Sequence, residues 1–357
     1  MGLIDQPDIA AFRAALIAWY RRTARSLPWR ESADPYHIWV SEVMLQQTQV
    51  TTVLPYYARF LAQFPTLEAL AAAPQQKVLK CWEGLGYYAR ARNFHKAAQM
   101  VVARLEGKIP DNYTEFRELP GVGDYIAAAV QSIAFGRPCA VVDGNVKRVL
   151  ARLLELEAPA NAAAALKIYQ QAAGRLLDPR SPGDYNQAIM ELGALACRPL
   201  QPQCGECPVQ HHCGAFAAGR QQELPRRMPR KALPRHHLAV GVIRREGRIL
   251  ITRRPENGLL GGLWEFPGGL IQPGEAPADA CRRNILETVN LQVDVGRLIT
   301  RVDHAFTHFK IAVEVFQCDY RSGDLALSGP VKAHWVAREA LESYPFPKVN
   351  HKIFPLI

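Results

Sequence analysis

Four cysteines, Cys197, Cys204, Cys207 and Cys213, fall in a C-x6-C-x2-C-x5-C run. Such a run gathers four soft thiolate ligands in one short loop and predicts a metal centre. The other cysteines, Cys81, Cys139, Cys281 and Cys318, are scattered singly, and no export signal precedes them, so disulfides are not expected. One C-x2-C pair flanked by single cysteines suits the corners of a [4Fe-4S] cube. Zinc, which more often takes two such pairs or a pair with two histidines, is the alternative. A second candidate is Glu42, set in the apolar segment WVSEVMLQQTQV, Trp39 to Val50. Burial there would raise its pKa and keep a proton available, as a general acid requires. On a continuous helix Glu42, Gln46 and Gln49 form one polar stripe at i, i+4 and i+7, flanked by Trp39, Val43 and Val50. A solvated helix face is the plain alternative.

These residues need a scaffold. From Asp8 to about Phe216 the pattern is helical, with Ile9, Phe12, Leu16 and Trp19 at helical spacing behind an expected Asp8 cap. From His236 the runs HHLAVGVI, GRILIT and FKIAVEVF predict strands, with one helix over Ala276 to Val289. Between them QQELPRRMPRKALPR reads as a basic, proline-rich tether that could also follow a phosphate backbone. The expected domains are a helical one over 1–220 with the cysteine loop at 197–213, a linker over 221–235, and an α+β domain over 236–357. With 43 Lys and Arg against 33 Asp and Glu the formal charge is +10, which favours a polyanionic partner. No apolar stretch has membrane-spanning length, and a cytoplasmic protein is expected.

Two motifs stand between the helical segments. LPGVGDY, Leu119 to Tyr125, places Gly121 and Gly123 where the backbone can approach a ligand and where the next helix presents free N–H groups to a phosphate. This fits a helix-hairpin-helix, although any tight helix–helix connection also uses glycine. In VVDGNVKRV, Asp143 precedes a glycine and the start of a helix over Asn145 to Glu155, which it could simply cap.

Hairpin, VDGNV aspartate and cysteine loop together resemble the endonuclease III superfamily of DNA glycosylases, over about residues 8 to 216. The segments LPWR, WVSEVMLQQTQV and GLGYYARARN narrow the resemblance to its adenine-removing MutY family. The resemblance implies a monofunctional glycosylase of base excision repair that flips adenine out of A:8-oxoguanine and A:G pairs in double-stranded DNA. Its members have an all-α domain with a [4Fe-4S] loop, followed by an α+β Nudix-like domain. Where bifunctional members carry a Schiff-base lysine, this chain has Tyr125. Adenine is a poor anionic leaving group, so the reaction calls for a proton at the base and negative charge near the developing oxocarbenium ion. Glu42 supplies the first. The resemblance gives the second to Asp143, which can also form a transient acetal with C1′, as carboxylate pairs do in retaining glycoside hydrolysis. It further implies that Tyr125 and Asn145 hydrogen-bond these carboxylates, that Trp29, Arg30 and Gln187 lie near the flipped base, and that Gln47 and Tyr87, with Thr48 beside them, fill the gap in the duplex. Tyr87 could otherwise be a core aromatic. The cluster's irons are saturated by cysteine, so its expected duty is to hold a loop against phosphate.

FPGGLIQPGEAPADACRRNILETVNL, Phe266 to Leu291, resembles the Nudix signature with Gly269, Glu275, Arg283 and Glu287 in register. Asn284, Thr288 and Asn290 replace two metal-binding glutamates and a glycine. A Nudix fold without Nudix catalysis follows. In the family this domain reads 8-oxoguanine through an F-S-H loop, matched here by Phe306, Thr307 and His308. Three rivals are a glycosylase of different base choice, a non-catalytic iron-sulfur DNA-binding or redox-sensing protein, and a Nudix hydrolase with a DNA-binding appendage. A monomer is expected.

Overall fold

The computed structural model describes residues 6–229 and 232–357. Up to residue 229 the described chain contains helices and turns and no strand. The helices are α1 (Gln6–Thr23), α2 (Pro35–Leu45), α3 (Val50–Gln63), α4 (Leu67–Ala72), α5 (Gln75–Trp82), α6 (Ala89–Arg104), α7 (Tyr113–Arg117), α8 (Asp124–Phe135), α9 (Gly144–Leu153), α10 (Leu166–Leu176), α11 (Pro182–Leu195) and α12 (Gly214–Ala217). Beyond it lie β1 (Arg235–Arg245), β2 (Arg248–Arg253), β3 (Trp264–Glu265), β4 (Gly268–Leu270), α13 (Pro277–Val289), β5 (Gln292–Ala305), β6 (Lys310–Ser322) and β7 (Lys332–Val336). Among the described residues no helix is long and apolar enough to cross a membrane.

The chain packs as two compact units that cut across its order. Residues 6–49, 66–68 and 97–229 form one, and residues 50–65, 69–96 and 232–357 form the other.

In the first unit α1 packs on α11, α2 on α8, and α11 on both α8 and α9. The apolar stripe of α1 drives its docking: Phe12 and Leu16 are fully buried among Val149, Leu150, Tyr185 and Ile189. Each such side chain contributes about 1.5–3 kcal/mol of burial free energy. Asp8 does not cap this helix, contrary to the expectation from the sequence. The helix begins at Gln6, and Asp8 lies inside the first turn, where the macrodipole favours a carboxylate.

Helix α2 starts at Pro35 behind Asp34, whose side chain accepts a 2.8 Å bond from the Tyr36 N–H. Nearly all of it is buried, with Trp39 edge-on to Phe116 at 4.9 Å. It ends at Leu45, and Gln47 turns the chain in the left-handed region at φ 56°. Gln46 and Gln49 therefore leave the helix that carries Glu42, and the polar stripe read from the sequence does not exist as one face.

The stretch 221–229 is packed on the first unit rather than solvated throughout. Leu224 is 1% exposed and its carbonyl accepts from Arg152 Nε at 3.0 Å, while the Arg226 carbonyl accepts from the Ala160 N–H. The Arg226 side chain is paired with Glu157 and Glu223.

The second unit is built on a mixed sheet with the path β3-β2-β1-β6-β5, β4 pairing with β1 and β7 with β2. Strands β1 and β6 run parallel from Arg235↔Lys310 to Arg244↔Asp319, and the remaining pairs are antiparallel. Helix α13 covers one face over Ala239, Ile243, Leu250 and Cys318. Gly241 permits that docking, because a Cβ there would lie 2.6 Å from Ile285 Cδ1. The other face buries Val242, Ile251, Phe266 and Val315 with Phe346 and Phe354. Residues 69–96 join the unit through specific bonds: Trp264 Nε1 donates to Gln76 Oε1 at 2.8 Å, and the Phe346 N–H donates to Glu83 Oε1 at 2.7 Å.

Candidate active site

Within the first unit, the elements just described bring Glu42, Tyr125, Asp143 and Asn145 to the ends of α2, α8 and α9. Glu42 lies one turn before the end of α2 and is 4% exposed. The Tyr125 hydroxyl, from the first turn of α8, donates to Glu42 Oε2 at 2.8 Å and also lies 3.3 Å from Met190 Sδ. Burial pushes the Glu42 carboxyl up to about 7, and the nearby Asp143 charge adds to the rise. The Tyr125 hydrogen bond and the charge of Arg30 offset only part of it. The Tyr125 phenol is driven well above its ordinary value by burial and by the two carboxylates, so it stays a donor.

Asp143 does cap α9, and it does more than cap. Its Oδ1 accepts from the Val146 N–H at 2.7 Å and its Oδ2 from Asn145 Nδ2 at 3.2 Å. Burial raises its pKa, opposed by the Val146 and Asn145 hydrogen bonds and by the charge of Arg148. Asn145 is held in turn by Arg148, which donates to Asn145 Oδ1 at 2.9 Å, to the Gly193 carbonyl at 2.6 Å and to the Cys197 carbonyl at 2.7 Å. The α9–α11 crossing at this point needs a glycine: a Cβ on Gly193 would lie 2.7 Å from Asn145 Cβ.

Trp29 is buried in the short 3-10 turn Pro28–Arg30. Arg30 is not a free cation. Its guanidinium is bonded to Glu191 through Nη1 at 3.2 Å and Nη2 at 2.9 Å. Arg25 grips the same carboxylate at 2.8 and 2.6 Å. Burial alone would raise the Glu191 pKa, but these bonds and the Arg25 N–H hold it at about 2. Glu191 was missed in the sequence, where its one pointer is its place on α11, one turn after the half-buried Gln187. Gln47 is exposed in its left-handed turn, with Thr48 half-buried beside it.

In the hairpin between α7 and α8, Gly121 has φ 79° and Gly123 precedes α8 with no side-chain cap. The space where a Gly123 Cβ would stand is open, and no side chain caps α8 from this position. Asp124 braces the turn through Arg117 and through Tyr113 Oη at 3.3 Å.

The four cysteines line one small cavity together with Arg152, Gln203 and Phe216. All four are free thiols. Burial pushes the Cys207 thiol up to about 12 and raises those of Cys204 and Cys213, so a cation is needed to hold them as thiolates. Arg152 Nη1 donates to Cys197 Sγ at 3.3 Å. Among the described residues no three Cys, His, Asp or Glu side chains are arranged to hold a single metal ion. Four cysteine sulfurs around one cavity are the soft donor set that an iron-sulfur cluster or a zinc ion takes.

The second unit gathers the remaining candidates. Tyr87 is 40% exposed, at φ 48°, and is no core aromatic. Its hydroxyl is hydrogen-bonded to Thr307 Oγ1. Thr307 and His308 form the exposed tip between β5 and β6, while Phe306 stacks on Phe309 at 4.7 Å. Tyr87 and Phe306 to His308 line one cavity of ≈ 560 Å³. In α13, Arg283 is tied to Glu275 and Glu287. Asn284 is buried and donates to the Leu270 and Ala280 carbonyls. Asn290 ends the helix at φ 56°, a left-handed position that asparagine tolerates in place of glycine.

Comparison with known proteins bears on both units. Residues 40–171 match the model of the HhH-GPD superfamily of base excision DNA repair proteins, and residues 239–356 match that of the NUDIX domain. The chain is 34% identical to the adenine DNA glycosylase of Homo sapiens over 98% of its own length and 74% of that protein. It is 36% identical to the adenine DNA glycosylase of Rattus norvegicus, covering 98% and 78%. A solved thermostable thymine-DNA glycosylase aligns with TM-score 0.54 and 28% identity over 59% of this chain and 97% of that one.

Proposed function

The chain belongs to the adenine DNA glycosylases, DNA-binding hydrolases of N-glycosyl bonds in base excision repair, and from that premise we propose that it removes adenine paired with 8-oxoguanine or guanine by a monofunctional, acid-assisted route. The observation that carries this reading is the buried Glu42, whose carboxyl is pushed up to about 7 with the Tyr125 hydroxyl at 2.8 Å. At neutral pH a large fraction of Glu42 holds a proton that it can give to the departing base. Asp143, whose carboxylate accepts from the Val146 N–H and from Asn145, balances the oxocarbenium ion and can bond C1′ until water replaces it. Tyr125 offers a hydroxyl where a strand-cleaving relative needs an amine, so the sugar is left as an abasic site.

Trp29, Arg30 and Gln187 form the wall for the flipped adenine. Gln47, Thr48 and Tyr87 fill the duplex, and Gly121 and Gly123 receive a phosphate at the start of α8. Cys197, Cys204, Cys207 and Cys213 hold a [4Fe-4S] cluster, which supplies a rigid cross-link rather than a reacting site. Phe306, Thr307 and His308 read the oxidised base, the Thr307 hydroxyl serving as donor or acceptor. The Nudix-like unit performs no hydrolysis, because Asn284 and Thr288 cannot hold divalent metal. Its proposed place of action is on DNA in the cytoplasm of a bacterial cell, and one copy suffices for one lesion.

Release of adenine from duplexes differing only in the opposing base tests the specificity. Excision opposite 8-oxoguanine and guanine, with A:T pairs spared, is the expected pattern; equal cleavage of A:T would end the reading.

A further inference from the structure

Glu191 is the most heavily bonded carboxylate around the acid and is not one of the residues that the resemblance supplies. Its side chain is 1% exposed and accepts five hydrogen bonds: the Arg25 N–H at 3.0 Å, Arg25 Nε at 2.8 Å and Nη2 at 2.6 Å, and Arg30 Nη1 at 3.2 Å and Nη2 at 2.9 Å. Both ends of the turn Arg25 to Arg30 are thereby fastened to α11. Arg30 is held further by the Arg25 carbonyl at 3.1 Å and by the Tyr20 ring, whose centroid lies 5.3 Å from its guanidinium carbon. Tyr125 from α8 is hydrogen-bonded to Glu42, and the charges of Asp143 at the start of α9 and of Arg30 from this turn act on it. Arg30 is the one cation among them. A guanidinium released from Glu191 would have a buried carboxylate within its field, and bidentate pairing with it is the strongest contact open to an arginine.

We infer that Glu191 is a positioning residue for catalysis: by engaging the guanidinium forks of Arg25 and Arg30 together it keeps the Arg30 charge docked on α11 and prevents an ion pair between Arg30 and Glu42. The inference rests on Glu42 as the acid. It explains why two arginines share one buried carboxylate, since Arg25 fixes the anion whose task is to hold Arg30. Glu191 touches neither the base nor the sugar in this account and acts through Arg30 alone.

The test is the pH dependence of single-turnover adenine release for the full chain, comparing the wild type with Glu191→Gln, the double variant Glu191→Gln with Arg30→Met, and Glu42→Gln. The wild-type rate should fall as pH rises through the range near 7 where Glu42 loses its proton. In Glu191→Gln that descending limb should move down by about one pH unit, a loss of roughly fivefold at neutral pH with the low-pH plateau kept. In the double variant the limb should return toward higher pH whatever its amplitude, because the loose cation is gone. A limb that stays at its wild-type pH in Glu191→Gln, or that fails to return in the double variant, overturns the inference. If Glu191→Gln does not fold, Glu191→Asp replaces it: the shorter carboxylate keeps the charge but loosens the fork, and an unmoved limb there has the same meaning. Glu42→Gln separates the two readings. Full activity in it removes the acid itself, whereas inactivity together with an unmoved Glu191→Gln limb removes only the role of Glu191.

Discussion

The Tyr125 hydroxyl donates to Glu42 Oε2 at 2.8 Å across the α2–α8 contact, and this bond partly restrains the rise in the Glu42 pKa that burial imposes. Removing it with Tyr125→Phe should let that pKa climb above about 7. The descending limb of the pH–rate profile should then move to higher pH, while the maximal rate falls roughly tenfold as Glu42 loses its fixed rotamer. The pH profile of single-turnover adenine release decides. A limb that moves to lower pH contradicts this assignment of the bond.

A carboxyl kept protonated in the fold carries a stability cost. The native Glu42 value is about 7 and the ordinary value is 4.5, so between these the folded state binds more protons than the unfolded one and stability falls as pH rises. The loss is complete above the folded value and amounts to about 3 kcal/mol, taking 1.36 kcal/mol per unit. Glu42→Gln should therefore match the wild type in thermal stability near pH 4 and exceed it near pH 8. Melting curves at the two pH values check this, and an equal or lower melting temperature for the variant at pH 8 speaks against a buried acid.

Gly193 sets how closely α11 approaches Asn145. A methyl there would lie 2.7 Å from Asn145 Cβ and 3.3 Å from its backbone, so the start of α9 must move. Gly193→Ala should cost about 1–3 kcal/mol of stability. It should also lower kcat by more than it raises KM, because Asp143 and Asn145 shift while the base-contacting wall stays. A pure KM effect would place the strain elsewhere.

The Tyr87–Thr307 bond joins residues 220 positions apart at the rim of one cavity. Thr307→Val keeps the shape and removes the hydroxyl, so it should narrow the preference for 8-oxoguanine over guanine by roughly 1 kcal/mol, about fivefold in the ratio of kcat/KM. Thr307→Ser should keep the preference. Competition between A:8-oxoguanine and A:G duplexes reads it directly.

The sequence made some of this legible and hid the rest for physical reasons. Asp143, Gly121 and Gly123 sit in short motifs whose local geometry is set by neighbours, and each stands at the helix terminus or turn expected of it. Glu42 was marked by the apolar residues around it. The supposed stripe with Gln46 and Gln49 failed because the left-handed Gln47 ends the helix, and a glutamine in that conformation leaves no trace in periodicity. Glu191 looked like any helical glutamate, since its burial depends on arginines more than 160 residues away. The grouping of residues 69–96 with the sheet was hidden too, because an amphipathic helix shows which face it buries and not against what. Asn290, by contrast, is readable afterwards as the other residue that accepts a left-handed helix end.

The central claim is that Glu42 gives a proton to adenine and that Tyr125 leaves the strand intact. Single-turnover reaction of a duplex with one A:8-oxoguanine pair, with and without alkali, beside Glu42→Gln, tests it most directly. Free adenine released by the wild type, strand cleavage only after alkali, and no release by Glu42→Gln are the predicted results. Release by Glu42→Gln at the wild-type rate, or strand breakage by the wild type without alkali, would contradict it.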